Sequence, residues 1–157
     1  MKKLQLYFDT SVFNFAFADD APDEKGITLI LLEQLRQDRY SIFISDVVIR
    51  EVSNAPKQKA YQLTELINEL SPAILDITDD CIELAQRYIQ EGIIPVKHKD
   101  DALHIAIASV HNMDGIISWN FKHIVKLKTR REVKAINLLL GYKEVDIISP
   151  QEVIYND

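Results

Sequence analysis

Apolar and polar positions along the chain fall into two alternating periods. Leu4 to Phe8 is a short, mainly apolar run that stops at Asp9-Thr10-Ser11, which predicts a buried strand with Asp9 at its end. Thr28 to Gln37 carries the apolar spacing of a helix, and Tyr40 to Ile44 returns to β-type residues. Ser45 or Asp46 can cap the next helix, on which Val47, Val48, Glu51 and Val52 share one side, so Glu51 lies beside an apolar face. Pro56 marks a break, and an amphipathic helix carrying Ala60, Leu63, Leu66, Ile67 and Leu70 runs on to Pro72.

Ala73 to Ile77 is strand-like, and Thr78 or Asp79 can cap a helix with Ile82, Leu84, Ala85, Tyr88 and Ile89 on it, stopped by Gly92. From about Asp100 the run Asp101-Ala102-Leu103-His104-Ile105-Ala106-Ile107-Ala108 is small and apolar almost all round, as in a helix sandwiched in a core. Asp114 to Trp119 reads as a buried strand ending at Asn120. A final helix over about Arg130 to Leu140 stops at Gly141, and Val145 to Ile148 makes a last short strand. The alternation predicts a three-layer α/β/α sandwich around a mostly parallel sheet, with no internal repeat or linker. Ligands bind such sheets beyond the carboxyl ends of the strands, where Asp9 and Asn120 fall.

A length of 157 residues suits one domain, and 47% hydrophobic with 27% charged residues suits a globular chain rather than a disordered one. The single cysteine, Cys81, cannot form an internal disulfide, and Asp9 interrupts the short N-terminal apolar run; both point to the cytoplasm, without secretion or membrane insertion. The net charge of −6 argues against a general nucleic-acid coat. Its distribution changes that picture: Lys97 to Lys134 holds eight Lys and Arg against four acids, leaving the window at +4 and the remainder at −10. This permits a local phosphate track, although a solvated face has the same composition.

Asp9 alone could simply cap a turn, Asp100 and Asp101 could simply complement a helix N-terminus, and Glu51 could pair with a surface lysine. Taken together, clustered carboxylates at an apolar sheet edge repel one another and require a cation. Oxygen-only ligands select hard ions such as Mg²⁺ or Mn²⁺, and the histidines and Cys81 show no zinc spacing. Such an ion implies hydrolysis of a phosphate ester.

Four segments then resemble the PIN-domain nucleases, including the VapC-like toxins. They are Tyr7-Phe8-Asp9-Thr10-Ser11, Val48-Ile49-Arg50-Glu51-Val52, Asp101 through Ala108, and Ile117-Ser118-Trp119-Asn120-Phe121-Lys122-His123-Ile124, in an order that spans nearly the whole chain. The tail from Ile136-Asn137 through Gly141-Tyr142 to Ser149-Pro150-Gln151-Glu152 also resembles one subgroup. The resemblance implies a single PIN-like domain over residues 1–157 and a Mg²⁺- or Mn²⁺-dependent ribonuclease. It implies that Asp9, Glu51 and Asp101 hold the metal directly or through water and that Asn120 completes the catalytic set. It further implies an RNA substrate, an antitoxin partner and a homodimer. Motif four departs from the pattern, because Asn120 stands where many members have an acid.

Around these positions, Thr10, Ser11, Asp100 and His123 are candidates to orient the acids or the substrate, and Lys122, Lys126, Lys128, Arg130 and Arg131 to hold a nucleic-acid backbone. His104 reads as a buried, hydrogen-bonded histidine, and Trp119 as core rather than a base-stacking platform. Two other readings compete. An aspartyl phosphatase or response-regulator receiver is disfavoured by Ser11, which stands where such phosphatases need a second acid. A PIN-like adaptor without catalysis is favoured by Asn120 and opposed by the three acids.

Overall fold

The computed structural model describes residues 2–155. Strands β1 (Gln5–Phe8), β2 (Ser41–Ser45), β3 (Ala73–Leu75), β4 (Gly115–Ile117) and β5 (Asp146–Ile148) form one five-stranded sheet in the order β3-β2-β1-β4-β5. Every pairing is parallel, with Tyr7 beside Phe43 on one side and beside Ile116 on the other. The chain builds outward from β1 to β3 and then crosses back to add β4 and β5. The order therefore reverses between β1 and β4, the switch point at which open parallel sheets leave a crevice.

Connections in a parallel sheet must cross over, and they do so on both faces. The helices are α1 (Thr10–Phe15), α2 (Pro22–Arg36), α3 (Asp46–Ser53), α4 (Lys57–Leu70), α5 (Asp79–Gln90), α6 (Lys99–Val110), α7 (Leu127–Leu139) and α8 (Pro150–Ile154), with a 3₁₀ turn at Val96–His98. Successive side chains of β1 point to opposite faces. Tyr7 joins a core with α5, α6 and α7 residues such as Tyr88, Ile105 and Val133. Leu6 and Phe8 join a second core with Val12, Leu31, Leu63 and Val153 from α1, α2, α4 and α8. Helix α3 serves both, giving Val47 to the first and Val48 and Val52 to the second. The result is the expected α/β/α sandwich, with a sheet that is wholly parallel.

The caps agree with the sequence. Ser45 accepts from the Val47 N–H at the start of α3, and Thr78 accepts from the Cys81 N–H at the start of α5. Gly92 and Gly141 sit just past α5 and α7 with φ of +74° and +82°, a backbone that L side chains rarely adopt. Three helices differ from expectation. Thr10 and Ser11 do not merely end β1 but open α1, since Asp9 takes the extended N-cap conformation. Likewise Ser149 leads into α8, with Pro150 in its first turn, where the sequence suggested that the fold ends on a strand. Helix α2 begins six residues before the predicted Thr28, at Pro22, because Pro22, Asp23 and Glu24 supply N-terminal signals without apolar periodicity.

Three helices are locked on one face by a buried polar knot. The Tyr88 hydroxyl donates to the Asn137 side-chain oxygen, Asn137 Nδ2 donates to Ser109 Oγ at 2.9 Å, and Ser109 Oγ donates to the Ile105 carbonyl at 2.9 Å. All three side chains are buried, so each donor needs its partner. Replacing Asn137 by Ala leaves the Tyr88 hydroxyl only its 3.3 Å contact with Ser109 Oγ and is expected to lower unfolding stability by about 1–2 kcal/mol. Urea titration at neutral pH measures this, and a loss below about 0.5 kcal/mol would show that the knot is not holding α5 to α7.

Candidate active site

Asp9 follows β1 directly, and its N–H extends the ladder to the Ile117 carbonyl of β4 at 3.3 Å. Because Phe8 and Ile117 are in register, the next residues, Asp9 and Ser118, meet at the switch point. The Asp9 side chain is only 4% exposed. Ser11 Oγ donates to Oδ1 at 2.5 Å and Ser118 Oγ donates to Oδ2 at 2.6 Å. Both hydroxyls are held in turn, Ser11 by the Trp119 N–H at 2.9 Å and Ser118 by the Asn120 N–H at 2.9 Å. Burial pushes the Asp9 carboxyl above its ordinary range, and nearby Asp101 adds to this; His104 and the two hydroxyls oppose it. The sequence places Ser118 in the fourth motif but gives it no role of its own, although a small polar residue closing Gly115-Ile116-Ile117 signals a strand end.

Glu51 lies in the last turn of α3 and is half-buried. Thr10 Oγ1 and His104 Nε2 each donate to its Oε1 at 2.7 Å. Burial alone would raise the Glu51 carboxyl, but the His104 contact and charge, with Thr10, bring it below its ordinary value. His104 is buried on α6, and its Nδ1 meets the Tyr7 hydroxyl at 2.7 Å, which in turn meets Ser45 Oγ at 2.8 Å. Burial opposes protonation of His104. Its bond to Glu51 and the charges of Asp9, Glu51 and Asp101 outweigh that and raise its pKa. This histidine therefore belongs to the site as well as to the core.

Asp101, in the first turn of α6, is also pushed up by burial, and by Glu51; His104, the Asn120 amide and His98 oppose the shift. Asn120 Oδ1 accepts the His123 N–H at 3.0 Å, so the residue pins the turn after β4 while its amide faces Asp101. His123 is buried and stacks on His98, with ring centroids 4.1 Å apart. Asp100, by contrast, turns away to pair with Arg50 at 2.7 Å and lines a separate groove. Trp119 is core, as expected, with its indole N–H donated to Thr28 Oγ1 at 2.8 Å.

Asp9, Thr10, Ser11, Glu51, Asp101, His104 and Asn120 line one open cleft of about 310 Å³. Two grooves of about 540 Å³ lie elsewhere, but neither gathers comparable acids. Among the described residues, no lysine or arginine forms an ion pair with Asp9, Glu51 or Asp101. Buried Asp9 and half-buried Asp101, both raised by desolvation and with hydroxyl, imidazole and amide neighbours, fit a hard divalent cation that keeps several of its waters. Lys122, Lys128, Arg130 and Arg131 are exposed, and Lys126 is partly so. Lys122 and Lys126 lie near enough to His123 to help lower its pKa, after burial and His98. Lys128 reaches back to the Gly92 carbonyl at 3.4 Å.

No curated protein gives a match to the chain. A solved structure with the same fold is the crystal structure of VapBC2 from Rickettsia felis bound to a DNA fragment from their promoter. It has 21% sequence identity and a TM-score of 0.53, over 76% of this chain and 90% of that one. The PIN domain model matches residues 6–120, which takes in most of β1, the Glu51 helix, Asp101 and the turn to Asn120. PIN domains are generally nucleases and usually use divalent metal ions. With its acids gathered at the switch point of a parallel sheet, the chain belongs to the PIN domain family.

Proposed function

We propose that the chain is a metal-dependent endoribonuclease that hydrolyses RNA phosphodiester bonds. The observation that carries this is the buried Asp9 carboxylate facing Asp101 and Glu51 across one cleft, with neutral hydroxyls for hydrogen-bond donors. Asp9 and Asp101 would hold Mg²⁺ or Mn²⁺, with Glu51 joining directly or through water. When bound, such an ion lowers the pKa of water and neutralises charge on a phosphate.

The chain's own groups do the rest. Ser11 and Ser118 fix both Asp9 oxygens, and Thr10 and His104 fix Glu51 by one oxygen. Asn120 offers its amide to Asp101 and sets the turn that carries His123. Lys122, Lys126, Arg130 and Arg131, which have no ion pair among the described residues, are suited to hold a phosphate backbone; Lys128 is partly engaged. All of residues 1–157 belong to one PIN-like domain, a reading supported by the packing of α8 on α2 in the second core.

The resemblance to VapC-like toxins supports the role of toxin in a type II pair, with an antitoxin partner, a homodimeric state and a cytoplasmic setting. No helix among the described residues is long and apolar enough to cross a membrane.

Substitution tests the site directly. Asp9→Asn and Asp101→Asn are each expected to lower cleavage of a mixed RNA pool by more than the roughly 10–100-fold typical of losing an outer-shell partner. Calorimetry on the same variants should show weakened Mg²⁺ binding. If the wild type, freed of copurified partners, binds no metal and cuts nothing, the adaptor reading, for which Asn120 speaks, replaces this one.

Proton linkage gives an independent check. A carboxyl whose folded pKa is raised contributes stability below its unfolded value near ~4, and loses it as pH rises through the folded value. Asp9 and Asp101 therefore weaken the metal-free fold toward neutral pH. Added Mg²⁺ offsets that, so its increment in Tm, read by scanning fluorimetry on chelator-treated protein, should be larger at pH 8 than at pH 5. An increment independent of pH would sink the assignment.

A further inference from the structure

Asp101 faces a second set of donors beside the carboxylate cleft. His98 ends the 3₁₀ turn that leads into α6, and Asp101 follows three residues later in the first turn of that helix. His123 enters from the turn after β4, where its N–H is held by Asn120 Oδ1 at 3.0 Å and its carbonyl by Thr129 Oγ1 at 2.9 Å. One ligand atom from each of His98, Asp101 and His123 lies within 4.8 Å of the other two, a grouping that no other three such residues reach among the described residues.

Two observations distinguish this cluster from a chance meeting of polar side chains. No hydrogen bond joins the three groups among the described residues, so they face a common space without satisfying one another. His123 is only 9% exposed, and its Nε2 is buried with no hydrogen-bond partner. A buried polar atom left unpaired calls for a ligand. The two imidazoles stack at a tilt, with centroids 4.1 Å apart and planes at 31°, so both rings border the same space as Asp101.

We propose that His98, Asp101 and His123 form a binding site for a divalent transition-metal ion of the Zn²⁺ class, distinct from the oxygen-lined cleft at Asp9 and Glu51. Two imidazoles and one carboxylate leave coordination positions open and favour Zn²⁺ or Co²⁺ over Mg²⁺, which prefers oxygen ligands and retained water. Bonds of about 2.0–2.2 Å require the donors to draw closer than the 4.8 Å within which they now lie. The nitrogen donors stand beside Asn120, where motif four lacks an acid. The site does not depend on RNA cleavage and shares only Asp101 with the proposed nuclease centre.

The test uses the untagged full-length chain, stripped with chelator and titrated with Co²⁺ followed by visible absorption, with Zn²⁺ by calorimetry and with Mg²⁺ separately. Wild type is expected to take up Co²⁺ with nitrogen-ligand bands in the visible. His98→Ala and His123→Gln should each weaken Co²⁺ and Zn²⁺ binding about tenfold or more while leaving Mg²⁺ binding in place. His98→Ala removes a side chain from a short surface turn, and a circular dichroism melt checks that His123→Gln folds. Asp9→Asn should do the reverse, weakening Mg²⁺ and sparing the Co²⁺ bands, so failure of the nuclease reading and failure of this site are told apart. The proposal is overturned if wild type binds neither Zn²⁺ nor Co²⁺. It is equally overturned if His98→Ala binds them as wild type does, or if Asp9→Asn abolishes the Co²⁺ bands.

Discussion

Taking the Asp9 carboxylate out of water at the mouth of the central strand carries a desolvation penalty that the surrounding chain must offset. Nearly every contact at the switch point answers that requirement. Ser11 comes from the first turn of α1 and Ser118 from the end of β4, so the two oxygens are reached from both sides of the crevice. Neither hydroxyl is free to rotate away, because backbone N–H groups of Trp119 and Asn120 donate to them. The parallel register of β1 and β4 is therefore a chemical requirement as well as a packing one. A slip of one residue would move Ser118 off Asp9 and turn every strand side chain to the opposite face.

Tyr7 transmits the same order to the other acids. Its ring is buried among α5 and α6, on the face opposite Leu6 and Phe8, yet its hydroxyl touches both Ser45 and His104. Ser45 caps α3, the helix that carries Glu51, and His104 lies on α6, the helix that carries Asp101. One phenol thus ties the central strand to both helices that deliver carboxylates. His104 closes the arrangement by bonding Glu51 directly, and its raised pKa favours the charged imidazolium within a group of acids.

Strand and helix periods made the layers legible, because a strand buried on both faces is mainly apolar and a core-spanning helix apolar almost all round, as at Leu6 to Phe8 and Ala102 to Ala108. The positions of Asp9, Glu51 and Asp101 followed from those elements. Short helices were harder to see. Helix α1 begins on the hydroxyls that also end β1, and α8 is only five residues long, too short for a period. Distance in sequence hid the remainder. Ser118 lies 109 residues from Asp9, and Arg50 lies 50 from Asp100, so neither the clamp nor the diversion of Asp100 could be read from local pattern. His104 is legible as a buried, hydrogen-bonded histidine, but its partners Tyr7 and Glu51 lie 97 and 53 residues away.

The sheet also limits how this protein can associate with other chains. Both edge strands, β3 and β5, are three residues long, and each lies against a sheet whose central strands are enclosed by helices. So short a rim offers too few unpaired backbone groups to template an incoming strand. Ribbon-like growth from copy to copy is thereby discouraged, and Pro72, which lacks an N–H just before β3, shortens that rim further.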